Sequence, residues 1–364
     1  MAKKILILYT AIGQGHKSLA ENIGWRLSAA GYEVRLANAH QVQSGRLVSF
    51  ATGLYRTIVR FAPFIWRWLY DTGWFISLTL PWRTALAASH SQNILNLLNE
   101  YRPDLVISTH TTPSAAVSYL KRTGKYAGRF AIAFSDFHLH RYWLYQGCDL
   151  YLANTGEQKR EMTALGVPAE IIAVCGITLK PLPRLEPPAL RQKFGLGAND
   201  KVVLLASGSQ GTGLKATEIA ALAALPGTSV IAVCGKNQTA FRGLSNRFRT
   251  AANVKILGFY PNMEELYAIA DLFVTKPGGI SVAEALRQCL PLLITHQLPG
   301  QEQHNLDYLL PRRLVMPAGP NWLKQAQNEL SGGGFKNALR QNPAVGEICG
   351  REEELLAALA KLLK

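Results

Sequence analysis

The chain alternates in a fixed rhythm: a nearly all-apolar run, a glycine or polar turn, then a helical stretch. Residues 3–9 read as a strand, 16–30 as a helix closed by Gly31, and 32–37 as the next strand. Further strands read at 105–108, 130–134 and 150–154. Strands covered on both faces lose the polar–apolar alternation of a half-exposed sheet, so these runs predict a parallel α/β sheet flanked by helices. The rhythm breaks at 179–188, LKPLPRLEPP, where four prolines fall in ten residues. Proline fixes φ and disfavours helix in the residue before it, so this stretch predicts a stiff, extended linker. The rhythm then restarts, with strands at 201–206, 229–234, 254–257, 272–275, 292–295 and 314–316. Two doubly wound domains, 1–184 and 185–364, are expected to place a cleft between the carboxyl ends of their sheets, where such folds bind ligands. The last helix, about 352–363, is a candidate to cross back onto the first domain.

Length and composition agree with two folded domains: 364 residues, 48% hydrophobic and 17% charged. Charge changes the picture more. Against 24 acids stand 39 Lys and Arg, a formal +15, which favours anionic partners: nucleic acid, anionic lipid or phosphorylated substrates. The five cysteines are scattered without a CxxC pair, which points away from a zinc site or disulfide framework and toward a reducing compartment. The start, MAKKILILYT, runs straight into a glycine loop and reads as a strand rather than a signal peptide. No apolar run reaches the roughly 18 residues a membrane span needs. A cytoplasmic chain is expected.

Three glycine loops carry the candidate chemistry. The first, TAIGQGH, contains Gly13, Gly15 and His16 and opens the first helix. Its third fingerprint position is Ser18 and the second strand ends in Asn38, so a dinucleotide cofactor is not expected. Beside a helix N-terminus the charged form of His16 is disfavoured, which suits a neutral base; a purely structural histidine is the competing reading. The second loop, Ser207–Gly213, offers three glycines and three hydroxyls, suited to phosphate oxygens, but lacks the GK[ST] of an NTP-hydrolysing loop. The third, Thr275-Lys276-Pro277-Gly278-Gly279-Ile280, again describes a diphosphate seat. Glu284 lies just beyond it, and the segment Ser281–Glu284 fits a capping box as well as it fits a carboxylate that chelates ribose hydroxyls.

TKPGGISVAEAL with PGQEQHN after it, VCGKN and NVKILGFYPNMEELYAIADL before it, and GQGH and SDFHLHRYW in the first half resemble one family. It is that of the monogalactosyldiacylglycerol synthases and processive diacylglycerol glucosyltransferases, with the lipid-II-forming N-acetylglucosaminyltransferase a more distant relative. The resemblance covers nearly the whole chain and implies a GT-B fold, the acceptor on the first domain and a UDP-sugar on the second. It implies that Gly258, Phe259 and Tyr260 read uracil and that the amides of Gly278, Gly279 and Ile280 hold the diphosphate with Ser209 and Gly208. It further implies that Glu284 holds ribose, and Gln301 and Glu302 the transferred sugar. The family often carries a second acid after Glu302, where this chain has Gln303 and His304, so glucose and galactose both stay open.

Without a DxD motif, no metal and no cofactor are expected; Lys276 and backbone amides would stabilise the leaving UDP. His16 is the expected base, with Asp136 the alternate or the group that orients an imidazole. His138 and His140 read as structural or acceptor-side residues, since an HxH spacing is weak evidence for metal. Residues 41–90 stand apart, with ten aromatics, five arginines and the single acid Asp71. Arg56, Arg60, Trp66, Trp68 and Trp74 suit a membrane headgroup interface, though aromatics also simply pack. The expected partners are UDP-glucose or UDP-galactose, diacylglycerol and the anionic inner face of the cell membrane, with no nucleic-acid module recognised. A UDP-sugar epimerase on the same fold, transfer to another lipid acceptor, and a non-catalytic UDP-sugar sensor are the competing readings.

Overall fold

The computed structural model describes residues 2–10, 14–39, 87–89, 91–297, 300–349 and 351–364. Gly13, Arg56, Arg60, Trp66, Trp68 and Trp74 lie outside the described residues. The chain divides into two compact units, Met1–Lys180 with Leu298–His304 and Gly350–Lys364, and Pro181–Gln297 with Asn305–Cys349.

In the first unit, β1 (Lys4–Tyr9), β2 (Glu33–Asn38), β3 (Leu105–Ser108), β4 (Arg129–Ala133), β5 (Leu150–Ala153) and β6 (Ile172–Val174) form one parallel sheet in the order β2-β1-β3-β4-β5-β6. Ile5 pairs with Leu105 and Ala131 with Leu150, which sets the register across the centre. Ile5 to Leu8, Leu105 to Ile107 and Phe130 to Ile132 have no solvent exposure, because helices cover both faces. The helix over residues 91–101 contributes Ile94 and Leu98 to this core. The helix Glu352–Leu362 belongs to this unit and packs against β6.

In the second unit, β7 (Lys201–Ala206), β8 (Thr228–Val233), β9 (Val254–Leu257), β10 (Leu272–Thr275), β11 (Leu292–Ile294) and β12 (Met316–Pro317) form another parallel sheet, ordered β12-β11-β10-β7-β8-β9. In each sheet the chain winds outward from one strand and then returns to that strand's other side. The reversal falls between β1 and β3 in the first unit and between β7 and β10 in the second. At such a reversal the loops leaving neighbouring strands diverge and open a crevice at the carboxyl ends. The fold is thus the GT-B pair of doubly wound sheets.

Three expected elements shift. The proline stretch is irregular only as far as Glu186, because Pro187 and Pro188 occupy the first turn of the helix Pro187–Lys193, where a missing amide costs nothing. The apolar run at 314–316 is not a strand at its start: the Leu314 amide bonds to Leu309 O at a helix end, and pairing begins only at Met316. The helix expected from residue 281 starts at Gly279, with extended Gly278 as its N-cap. Among the described residues no helix is long and apolar enough to cross a membrane.

Candidate active site

The first crevice is built from the segments that leave the carboxyl ends of β1, β3 and β4. The helix Gln14–Ala29 begins two residues earlier than its hydrophobic pattern suggests, so Gly15 and His16 lie in its first turn. The Thr109 hydroxyl, just after β3, donates to His16 O at 3.0 Å and fixes that turn to the sheet. The imidazole of His16 packs edge-to-face on His110, with ring centroids 4.7 Å apart, and lies 5.9 Å from Trp143. Burial lowers its pKa below 6.5, against the pull of Asp136 and a backbone hydrogen bond at Thr109. Desolvation disfavours an imidazolium, so the ring is held neutral. The helix dipole was the expected cause; burial is the leading one.

Behind His16 runs a chain of hydrogen bonds. Ser135 Oγ lies 3.4 Å from His16 Nδ1 and donates to Asp136 Oδ2 at 2.9 Å. Gln301 Nε2 donates to the same carboxylate oxygen at 2.5 Å. Asn154 Nδ2 and Gln158 Nε2 each donate to the Asp136 carbonyl at 2.8 Å, and both residues are buried. Asp136 is therefore held by its side chain and its backbone together.

The neighbouring histidines have other tasks. His110 caps the helix Thr111–Arg122: its Nδ1 accepts the Thr112 amide at 3.1 Å, which puts its proton on Nε2. His140 does the same for the Tyr142 amide and stacks on the Tyr142 ring. His138 lies against His304, with ring centroids 4.9 Å apart. Among the described residues no group of three His, Cys, Asp or Glu is placed to hold a metal ion.

The second crevice gathers the loops after β7, β10 and β11. Gly208, Gly211 and Gly213 all adopt positive φ, at 66°, 58° and 96°. A Cβ on Gly211 would lie 1.8 Å from Cys234 O, so backbone approaches backbone more closely than any side chain allows. The Lys276 stem passes over Gly208, where a Cβ would come within 3.1 Å of its Cε. His296 ties the loops together, with Nε2 2.7 Å from Ser207 Oγ and Nδ1 3.1 Å from Thr295 Oγ1. Ser209 O accepts the Lys236 amide at 2.8 Å.

At the head of the helix Gly279–Arg287 the Gly278 amide already donates to Lys276 O at 2.9 Å. The first amides with no acceptor inside the helix belong to Gly279, Ile280 and Ser281. Gly278 thus closes the turn before the helix, while the Gly279 and Ile280 amides are left as donors at its head. The capping-box reading of Glu284 falls, because the N-cap is Gly278 and Glu284 sits in the second turn. Its carboxylate accepts the Tyr267 hydroxyl at 3.3 Å, while burial and then Glu284 push that hydroxyl's pKa well above its ordinary value. Phe259 is 47% exposed with Lys236 Nζ 5.6 Å from its ring, and the neighbouring Tyr260 hydroxyl donates to Glu265.

Asn305 was not anticipated. It is fully buried, and its side-chain amide donates to Pro277 O at 3.0 Å, pinning the third loop. Asn305→Ala should cost about 1–3 kcal/mol of stability by leaving buried polar groups unmatched. It should also weaken UDP binding about tenfold, read by calorimetry; unchanged UDP affinity would show that this bond does not shape the seat.

The first half of the chain, residues 16–179, matches the monogalactosyldiacylglycerol (MGDG) synthase family. Residues 202–305 match the glycosyltransferase family 28 C-terminal domain. The chain is thus similar to the MGDG synthases in its first half and to family 28 glycosyltransferases in its second. It is 29% identical over 313 residues to a processive diacylglycerol beta-glucosyltransferase of Bacillus pumilus (strain SAFR-032), covering 84% of this chain and 80% of that one. The enzyme of that name from Bacillus subtilis (strain 168) is 28% identical over 313 residues, covering 84% and 81%. Among solved structures, Acinetobacter baumannii MurG superposes with a TM-score of 0.61 over 98% of both chains at 14% identity, a likeness of fold.

Proposed function

We propose that this glycosyltransferase moves a hexose from a UDP-sugar to diacylglycerol, or to a glycosyl-diacylglycerol, at a membrane surface, with inversion and without a metal ion. The observation that carries this reading is His16: a half-buried imidazole kept neutral by desolvation, at the reversal point of the first sheet, backed by Ser135 and Asp136. The names of the Bacillus relatives support diacylglycerol as acceptor and glucose as the sugar. The stretch 41–90, rich in tryptophan and arginine, supports work at an anionic lipid surface on the cytoplasmic side.

In this reading the acceptor hydroxyl oxygen attacks the anomeric carbon, and the bond from that carbon to the β-phosphate oxygen breaks. UDP leaves with the bonding electrons, and the hydroxyl proton passes to the imidazole of His16. The first unit supplies that base. The second holds the nucleotide: Gly279 and Ile280 amides, Ser209, Gly208 and Lys276 at the diphosphate, Glu284 at ribose, the Gly258–Tyr260 loop with Phe259 at uracil. Fixed donors aimed at developing charge need no reorganisation as the leaving group forms, which is how the chain dispenses with a cation. Gln301 and Glu302 are assigned to the hexose hydroxyls, Gln301 exchanging its bond to Asp136 for one to the sugar.

The test uses EDTA-dialysed protein, diacylglycerol-containing vesicles, and radiolabelled UDP-glucose and UDP-galactose in parallel arms. Label should enter the lipid phase from UDP-glucose, undiminished by EDTA. Label confined to water-soluble products would remove the lipid acceptor, and loss of transfer restored by magnesium would remove metal independence.

A further inference from the structure

We propose that Ser135 is a positioning residue that fixes the tautomer of His16, with the proton on Nδ1 and the lone pair on Nε2. The inference rests on His16 being the base, and donor–acceptor accounting carries it further. A serine hydroxyl has one proton to give and two lone pairs to accept with. That proton is committed to Asp136 Oδ2, 2.9 Å away, since a carboxylate oxygen has none to offer in return. Toward His16 Nδ1, 3.4 Å off, the Ser135 oxygen can therefore only accept, so this contact is a hydrogen bond only in the tautomer that carries the proton on Nδ1.

The arrangement is braced so that it cannot easily reverse. Gln301 Nε2 donates to the same Asp136 oxygen, and Asn154 and Gln158 hold the Asp136 carbonyl. Ser135 itself is only 5% exposed, so water does not compete for its hydroxyl. Asp136 thus reaches His16 through an intervening hydroxyl.

The contrast with His110 sharpens the assignment. The two rings touch, yet the Thr112 amide occupies Nδ1 of His110 and forces the opposite tautomer, with its proton on Nε2. Of this pair, His16 alone presents Nε2 as an acceptor. During transfer Nε2 takes the acceptor hydroxyl's proton while Nδ1–H stays bonded to Ser135, and the imidazolium charge is met by Asp136 across the hydroxyl.

The test compares Ser135→Thr with Ser135→Val, which match in shape and differ by the hydroxyl, alongside Ser135→Ala and His16→Ala. The readouts are kcat, KM for UDP-glucose, and the pH profile of lipid glycosylation. Valine and alanine should lower kcat about 10- to 100-fold with KM within about twofold, and move the acid limb to lower pH, because the imidazolium loses its link to Asp136. Threonine should stay within about threefold of wild type. Valine as active as threonine, or an alanine defect confined to KM with an unmoved pH limb, overturns the assignment. A dead His16→Ala beside a fully active Ser135→Val removes the relay alone, whereas a fully active His16→Ala removes the base on which it rests.

Discussion

His16→Ala should lower lipid glycosylation by about 10²–10⁴-fold, the range a positioned general base contributes, while UDP binds as before. The separation reflects where the residue sits: His16 belongs to the first unit, whereas the residues assigned to UDP belong to the second. The pH profile adds a sign. Burial lowers the His16 pKa below 6.5, so the neutral base persists into mild acid and the acid limb of kcat/KM should fall below pH 6.5. The same shift has a consequence for stability. The unfolded chain takes up a proton near pH 6.5 that the native ring resists, so the contribution is present above pH 6.5 and is lost as pH falls through the native pKa. An acid limb above pH 7, or a His16→Ala variant with near-normal turnover, would overturn the assignment.

Gly211→Ala is expected to be the most damaging glycine substitution in the second unit. At φ 58° alanine is strained, and its Cβ would sit 1.8 Å from Cys234 O, a backbone atom that also accepts the Asn237 amide. The loop must open or β8 must yield, at a cost of about 2–4 kcal/mol. Because the loop runs on to Gly213, which lies against His296, UDP affinity should fall with stability. Gly243→Ala supplies the internal contrast: Gly243 is exposed within the helix Gln238–Arg247, and its added Cβ meets nothing within 4 Å. That variant should be neutral or stabilised by about 0.5–1 kcal/mol. Equal melting temperatures for the two variants would contradict the packing account.

The sequence pattern located the sheets well where strands are central. Residues 105–108, 201–206 and 272–275 read at their observed bounds, because a buried apolar run ends sharply where the chain turns to solvent. Edges were less legible. β6 is three residues long and β12 two, too short for a period to register, and Leu314 and Val315 are buried beneath a helix end rather than paired. Helix starts at Gly279 and Gln14 were obscured because glycine argues against helix even when it opens one. Of the candidate site, the glycine loops and His16 stand out from local chemistry, and Asp136 from the family resemblance. Their partners could not: Ser135 stands 119 residues from His16, and Gln301 stands 165 from Asp136. Folding alone brings such pairs together. The Glu284 ambiguity had the same origin, since only the observed cap at Gly278 separates a capping box from a carboxylate in the second turn.

The most direct measurement is mass spectrometry of the lipid extract after incubating the protein with UDP-glucose and diacylglycerol vesicles. Diacylglycerol heavier by one or more hexose units is the expected product, formed by wild type and absent with His16→Ala. Unmodified diacylglycerol beside UDP-glucose that has been epimerised, hydrolysed or left intact would contradict it.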